Sequence, residues 1–339
     1  METAMQELLD RVPHIDTSGM SYEEWKEKRK ESMGGSEAGS IMGLSDYGSR
    51  LTVYLEKKSL VDSGESRAAH RGKILEPVIR QFTQEEFPAL KIEKMPYMFF
   101  HPEFPYMSAN VDGLIWSPAT PAPLIIDGQE IIGLGGHEIK SSKTGYGFGK
   151  NEIPDSYYAQ VQHYAAVLGL DWFLLSVYIL ETEEIRHYPI KRNEDFIRDL
   201  KEQEKYFWDT FIVPSVMPAA TGLDSEEDMI TGLFEGSNTI VLDEPQRHLC
   251  ADYLDLNKAI KELEERKKNV KVNLMEAVVQ KSNGKPPEKK ATAIAGPYSV
   301  LWSFYERKSL DTDALKKDGL YDKYAKVSVY DRFTVTEKK

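Results

Sequence analysis

Two extended apolar segments that each deliver a carboxylate constrain this chain more than anything else in it. Tyr106–Val111 ends at Asp112-Gly113, and Ile131–Lys140 carries Glu138-Ile139-Lys140 at its end. In a strand, successive side chains alternate between faces, so Glu138 and Lys140 point the same way while Ile139 points into the opposite layer. A sheet built from both segments gathers two carboxylates and an ammonium at one place. Carboxylate oxygens are the ligands that hard divalent cations such as Mg²⁺ prefer, and an adjacent Lys can hold or polarise the water such an ion activates. That is the chemistry of phosphodiester hydrolysis.

The short pattern alone discriminates poorly. Glu-X-Lys recurs at Glu24 to Lys26 and Glu265 to Lys267, among other places, in charged runs of surface type. Asp112-Gly113 taken singly is also a hairpin turn signal. Glu138 stands apart because it follows an apolar strand-like segment and lies downstream of an acid that ends another.

Composition sets the outer limits. The chain has 339 residues, 41% of them hydrophobic, which suffices for one catalytic domain of ordinary size and an appendage. Its formal net charge of -12 argues against gripping nucleic acid with the whole surface, so positive charge must be focused locally if the partner is a polyanion. Cys250 is the single cysteine, which excludes an internal disulfide, a four-Cys zinc site and an iron–sulfur cluster. The sequence shows neither an apolar leader nor a run of 18 apolar residues, so we expect a soluble intracellular protein and no membrane partner.

Along the chain, Ser21 caps a helix from Tyr22 with Trp25 on its buried side, and the small-residue run Met33–Gly43 opens another. A helix start after such a turn presents N–H groups to an anion, although Ser36 also suits a plain cap and Arg29 a solvated charge. Ala68–Glu86 reads as an amphipathic helix with Ile74, Leu75, Val78, Ile79 and Phe82 as its apolar stripe, Glu76 beside it, and Pro77 as a kink or restart. Lys91–Phe100, Tyr106–Val111, Leu114–Trp116 and Ile131–Leu134 read as strands around a Pro-rich insert, giving a mixed or antiparallel sheet. The loop Ser141–Asn151 is basic and aromatic but lacks the Walker A spacing, so it suits contact with a nucleic-acid backbone or a plain surface loop. Pro154–Leu168 is a helix that points Gln160 inward with Tyr157 and Tyr164, where it needs hydrogen-bond partners: a reacting water or phosphate, or a structural network. Trp172–Glu181 and Glu184–Lys191 are paired strands, and Asp195–Ile212 closes the domain before Pro218.

Residues 219–244 lose regular patterning and read as an acidic linker. From 245 to 281, Leu249, Leu256, Leu263, Val270 and Ala277 recur every seven residues, with Tyr253, Ile260, Lys267 and Leu274 four after each. This a/d seam with one charged position marks a helix that needs a partner, in this chain or another. A small α+β tail follows, with strands at Tyr298–Tyr305 and Val327–Val335 and a short helix at Asp311–Lys317. The expected organisation is thus residues 1–218, a linker at 219–244 and an appendage at 245–339.

The spacing of Asp112 and Glu138-Ile139-Lys140 resembles the PD-(D/E)XK nuclease signature, and the flanking blocks resemble one branch of it, the YqaJ-type viral recombinases, relatives of phage lambda exonuclease. Those blocks are Trp25–Arg29 with Gly34–Ala38, Arg71–Pro77, Ile153–Tyr164 with its Ala-Gln-Val-Gln-His-Tyr, and the C-terminal tail. The resemblance implies a restriction-endonuclease-like α/β (α+β) core, a mixed central sheet flanked by helices. It implies a Mg²⁺-dependent 5′→3′ exonuclease on double-stranded DNA ends, with Mn²⁺ able to substitute, making 3′ single-stranded tails for phage recombination. In that reading Asp112, Glu138, the Ile139 carbonyl and Glu76 hold metal, Lys140 and Gln160 position the water, and Arg29, Ser36 and Lys143 hold the 5′-phosphate and DNA. It further implies a ring-shaped homotrimer, a single-strand annealing protein as partner, and a phage- or prophage-encoded product in the bacterial cytoplasm. The rival expectations are a sequence-specific endonuclease on the same fold and a non-catalytic recombination or assembly module.

Overall fold

Gly135–Ser142 is the strand on which the first part of the chain is assembled. It runs parallel to Trp172–Ile179, with Glu138 level with Leu175, and antiparallel to Gly113–Trp116, with Gly113 facing His137. Glu184–Lys191 and Lys91–Glu93 extend the sheet on either side, giving five strands of mixed direction. This is the expected α/β core with helices on both faces. The computed structural model describes residues 2–61, 64, 66–116, 124–126, 128–131, 133–233, 240–282, 290–305, 311–319 and 321–325.

Two glycines let the central strands approach closely. A Cβ at Gly135 would lie 2.3 Å from the Trp172 ring, and one at Gly136 would lie 1.9 Å from Phe173, so the large rings of the neighbouring strand fold across bare backbone. Trp172–Ile179 is apolar apart from Ser176 because both its faces are covered. The helix Asp155–Leu168 packs one face through Ala159, Tyr164 and Leu168 against Phe173 and Leu175. On the other face Leu90, Ile115, Trp172 and Leu174 form a second cluster next to the helix Arg67–Glu86.

A smaller sheet of His14–Asp16, Tyr97–Phe100, Met107–Ala109 and Met33–Gly34 flanks this core. Its parallel pairing of Met33 with Met107 aims the helix Gly35–Met42 at the helix Asp155–Leu168. The small-residue run exists for that contact: a Cβ at Gly35 would lie 2.5 Å from Tyr164, and one at Gly39 would lie 2.7 Å from Ser156.

Several expectations change on folding. Ser21 does cap the helix Tyr22–Lys30, with a full capping box to Glu24, but that helix buries no residue and Trp25 is only half-buried. Arg67–Glu86 passes through Pro77 as one helix. Of its apolar stripe, Ile79 is buried while Ile74, Val78 and Phe82 are exposed. Within 219–244, Asp224–Thr231 is a helix rather than irregular chain. It is held because the buried Glu226 accepts from the N–H groups of Thr221, Gly222 and Leu223 and from the Ser49 hydroxyl that caps Arg50–Lys57.

The chain divides into two compact units, Met1–Glu235 and Gly236–Lys339. The second contains the helix Glu244–Lys281, the hairpin Lys290–Ala295 with Tyr298–Ser303, and short helices at Thr312–Lys317 and Tyr321–Tyr324. The expected strand Val327–Val335 and the Pro-rich insert lie outside the described residues. Among the described residues no helix is long and apolar enough to cross a membrane.

Candidate active site

The acids meet where two strands part. Antiparallel pairing ends at Gly113 with His137, so the next register position sets Asp112 opposite Glu138. Instead of a backbone partner, the Ile139 N–H finds the Asp112 carboxylate, donating to Oδ2 at 2.8 Å. From the helix Arg67–Glu86, Arg80 donates to the Asp112 carbonyl at 2.8 Å. An acid at a strand end, the sequence signal, is thereby fixed from both sides.

Glu138 is 3% exposed. Its Oε1 accepts from Lys140 Nζ at 2.7 Å and from Gln160 Nε2 at 2.7 Å, while its Oε2 is buried and meets no donor. Gln160 also donates to the Tyr164 hydroxyl at 3.0 Å, and the Lys140 ammonium sits 5.2 Å from the centre of the Tyr157 ring. Alternation along the strand and the inward stripe of the helix thus bring Glu138, Lys140 and Gln160 into one contact group, as the sequence suggested.

Burial dominates the electrostatics. It pushes the Asp112 carboxyl well above the usual carboxylate range, and the neighbouring Glu138 pushes it further. Burial also raises Glu138, with Lys140 opposing. For Lys140, burial works against the charge, but Glu138 and Asp112 outweigh it and lift the pKa above its ordinary value. The Tyr164 phenol is raised well above 10.0 by burial and by Glu138. The two buried carboxylates, Asp112 and Glu138, thus share one buried ammonium, Lys140.

The third expected acid behaves differently. Glu76 is half-buried, and its Oε1 is taken by Arg80 and by Lys94 at 3.1 Å. Among the described residues no three His, Cys, Asp or Glu side chains stand together as a metal-ligating group. A divalent cation nevertheless fits the donor chemistry: a buried, unpartnered carboxylate oxygen on Glu138 and a second acid, Asp112, both destabilised as anions by burial.

Arg29 donates to the Ser36 hydroxyl at 2.8 Å, and its guanidinium lies 4.9 Å over the Trp25 ring, which stacks on Tyr22. Beneath them the buried Lys57 binds Glu37 at 2.8 Å and donates to the carbonyls of Arg29 and Ser32. Arg29, Ser36, Glu76, Asp112, Glu138, Lys140 and Gln160 all line one cleft of about 900 Å³. Lys143 is exposed and does not line it. Sequence reasoning missed Arg80, Lys57 and the cleft-lining role of Trp25. Arg80 was findable, since it stands four residues after Glu76 on one helix face; nothing in the sequence marks Lys57.

Residues 24–171 match the YqaJ-like viral recombinase domain family. Over 334 residues the chain is 26% identical to an uncharacterized protein, YqaJ, of Bacillus subtilis (strain 168), covering 94% of this chain and 96% of that protein. Among solved structures, an alkaline exonuclease (LHK-Exo) from Laribacter hongkongensis aligns with a TM-score of 0.43 at 19% identity, over 57% of this chain and 93% of that one. A phage related exonuclease from Haemophilus somnus 129PT aligns with a TM-score of 0.39 at 13% identity, over 54% and 96% of the two chains.

Proposed function

We propose, from the match of residues 24–171 to the YqaJ-like viral recombinase domain family, that the chain is a divalent-metal-dependent deoxyribonuclease that degrades duplex DNA from a 5′ end and leaves 3′ single-stranded tails for recombination. The observation that carries this reading is the buried Glu138 Oε2 without a partner, in the same cleft as Asp112, Lys140 and Gln160.

Asp112, Glu138 and the Ile139 carbonyl are the groups that would hold the ion, with Glu76 joining if it leaves Arg80 and Lys94. Bound there, Mg²⁺ or Mn²⁺ would supply Lewis-acid chemistry to the phosphate. Lys140 holds the attacking water by donating a hydrogen bond from its ammonium, and Gln160 fixes the Glu138 carboxylate so that its second oxygen stays turned to the cleft. Arg29 and Ser36 offer a guanidinium and a hydroxyl to a terminal phosphate, Arg29 being held flat by Trp25. The buried Lys57 keeps the Arg29 and Ser32 backbone in place beneath them.

The test is digestion of linear duplex carrying a 5′-phosphate or a 5′-hydroxyl, with closed circular duplex as control, in Mg²⁺. The proposal expects faster release from the phosphorylated end, none from the circle, and loss of both linear activities in Asp112→Ala and Lys140→Ala. Cleavage of the circle would point instead to an endonuclease. Undiminished release by either variant would overturn the site.

A further inference from the structure

The helix Glu244–Lys281 runs for 38 residues, about 57 Å at 1.5 Å per residue. Among the described residues its seam lies open: Leu249 is 65% exposed, Leu256 62%, Leu263 62% and Val270 54%, with Ile260 and Leu274 of the interleaved series also exposed. Apolar residues at alternating steps of three and four repeat every 3.5 residues on average, the period that winds a helix around a second helix. An exposed helix of this kind needs cover.

Its charge says what covers it. Glu244–Glu265 carries six carboxylates against three Lys and Arg, whereas Arg266–Lys281 carries five Lys and Arg against one carboxylate. The helix is acidic in its first half and basic in its second. We propose that it pairs antiparallel with the same helix of a second copy of this chain.

Parallel pairing would lay acid on acid and base on base. It would also stack Lys267 on its own counterpart inside the seam and set Arg266 beside Lys271 of the other helix across the flanking positions, both repulsive. Antiparallel pairing removes each conflict. With Ile260 of one copy against Leu263 of the other, Tyr253 meets Val270 and Leu274 meets Leu249. Lys267 then lays its aliphatic stem along Leu256 and extends its ammonium toward Asp252 and Asp255. The two copies are equivalent, as a two-fold interface requires.

Cys250, the single cysteine, reports the orientation directly. In the full chain spin-labelled there, antiparallel helices set the labels about 35 Å apart, 23 residues of helical rise, whereas parallel helices set them within about 20 Å. The expected result is the long distance, together with at least a twofold fall in sedimenting mass for the double substitution Leu256→Asp, Leu263→Asp. Two charge variants avoid dependence on apolar substitutions. Arg266→Glu, Lys267→Glu, Lys268→Glu, Lys271→Glu makes the helix acidic throughout, and Glu262→Lys, Glu264→Lys, Glu265→Lys makes it basic. Each alone should show the same fall in mass, and their mixture should regain it. A short label distance, an unchanged mass in the Leu variant, or no association on mixing overturns the proposal, the last two leaving the seam to another protein.

Discussion

Gln160 and Lys140 donate to the same oxygen of Glu138, each at 2.7 Å, and leave the other oxygen buried and bare. The two donors have different work. In the proposed site Lys140 would bring charge and hold the attacking water, while Gln160 would orient Glu138. Lys140→Met should lower the rate of nucleotide release from linear duplex by about 10²- to 10⁴-fold, the usual span for a proton-handling group. Gln160→Met should cost less, about tenfold, and measurement of kcat on 5′-phosphorylated duplex separates the two. Equal losses would contradict the division of roles.

Asp112 sets stability against function. Its carboxyl is raised by burial and by Glu138, so its contribution to stability is fully present below the unfolded carboxylate pKa and is lost as pH rises through the folded value. At pH 8 without divalent ions the anion is a burden. Asp112→Asn keeps an acceptor for the Ile139 N–H and removes the charge. The variant should abolish cleavage yet melt higher than wild type in chelator, each kcal/mol being worth about 2–4 °C in a unit of this size. Adding Mn²⁺ should raise the melting temperature of wild type, by about 2.7 kcal/mol at a hundredfold excess over Kd, and leave the variant unmoved. A lower melting temperature for Asp112→Asn in chelator would contradict this account.

His101 should give the fold an acid limit. Its Nδ1 accepts from the N–H groups of Glu103 at 3.1 Å and Phe104 at 3.2 Å, a role open only to the neutral ring. Burial, with Lys201 nearby, pushes its pKa down to about 4 from 6.5. The resulting stability is fully present above pH 6.5 and is lost as pH falls toward 4. It amounts to something on the order of 1–2 kcal/mol once solvent screening is allowed for. His101→Asn accepts the same bonds without titrating. Urea midpoints between pH 4.5 and 7 should therefore fall less steeply with acid in that variant than in wild type.

His163 does the reverse. Its Nδ1 faces Glu204 Oε1 at 2.7 Å and its Nε2 faces the Ser108 carbonyl at 2.9 Å, acceptors that suit a ring protonated on both nitrogens. Burial opposes that charge and Glu204 outweighs burial, raising the pKa above 6.5. This stability is fully present below pH 6.5 and is lost as pH rises through the folded value. Glu204→Ala removes the partner, so the buried ring sheds its proton, and the change should cost about 1–3 kcal/mol at pH 6, read as a shift in the denaturant midpoint. A cost under about 1 kcal/mol would mean the pair is neutral.

Much of the site was legible because it depends on short periods. Alternation over three residues puts Glu138 and Lys140 on one side, and the helical repeat turns Gln160 inward; neither needs knowledge of the neighbours. What sequence could not reveal is which neighbour lies beneath a stripe. Ile74, Val78 and Phe82 recur at helical spacing yet are exposed, while Ile79 and Thr83 are the buried positions, because the sheet touches the helix along a line the spacing does not specify. Trp25, on the inward side by helical spacing, is half-buried for the same reason. Glu226 looked like one more acid in an acidic stretch, and its grip on three N–H groups appears only once Thr221–Leu223 curls around it. The glycines of Met33–Gly43 suggest an anion-binding turn from sequence; what the fold shows of them is the clearance that Gly35 gives Tyr164 and Gly39 gives Ser156.

Because the last paired residues before the acids are Gly113 and His137, the mutual placement of Asp112 and Glu138 is decided at that hinge and not by whatever chain joins Trp116 to Gly135. A change in the length between Trp116 and Gly135 should therefore leave the placement of Asp112 against Glu138 unchanged. An affinity handle or a fluorophore inserted there should report on the chain without moving the two acids.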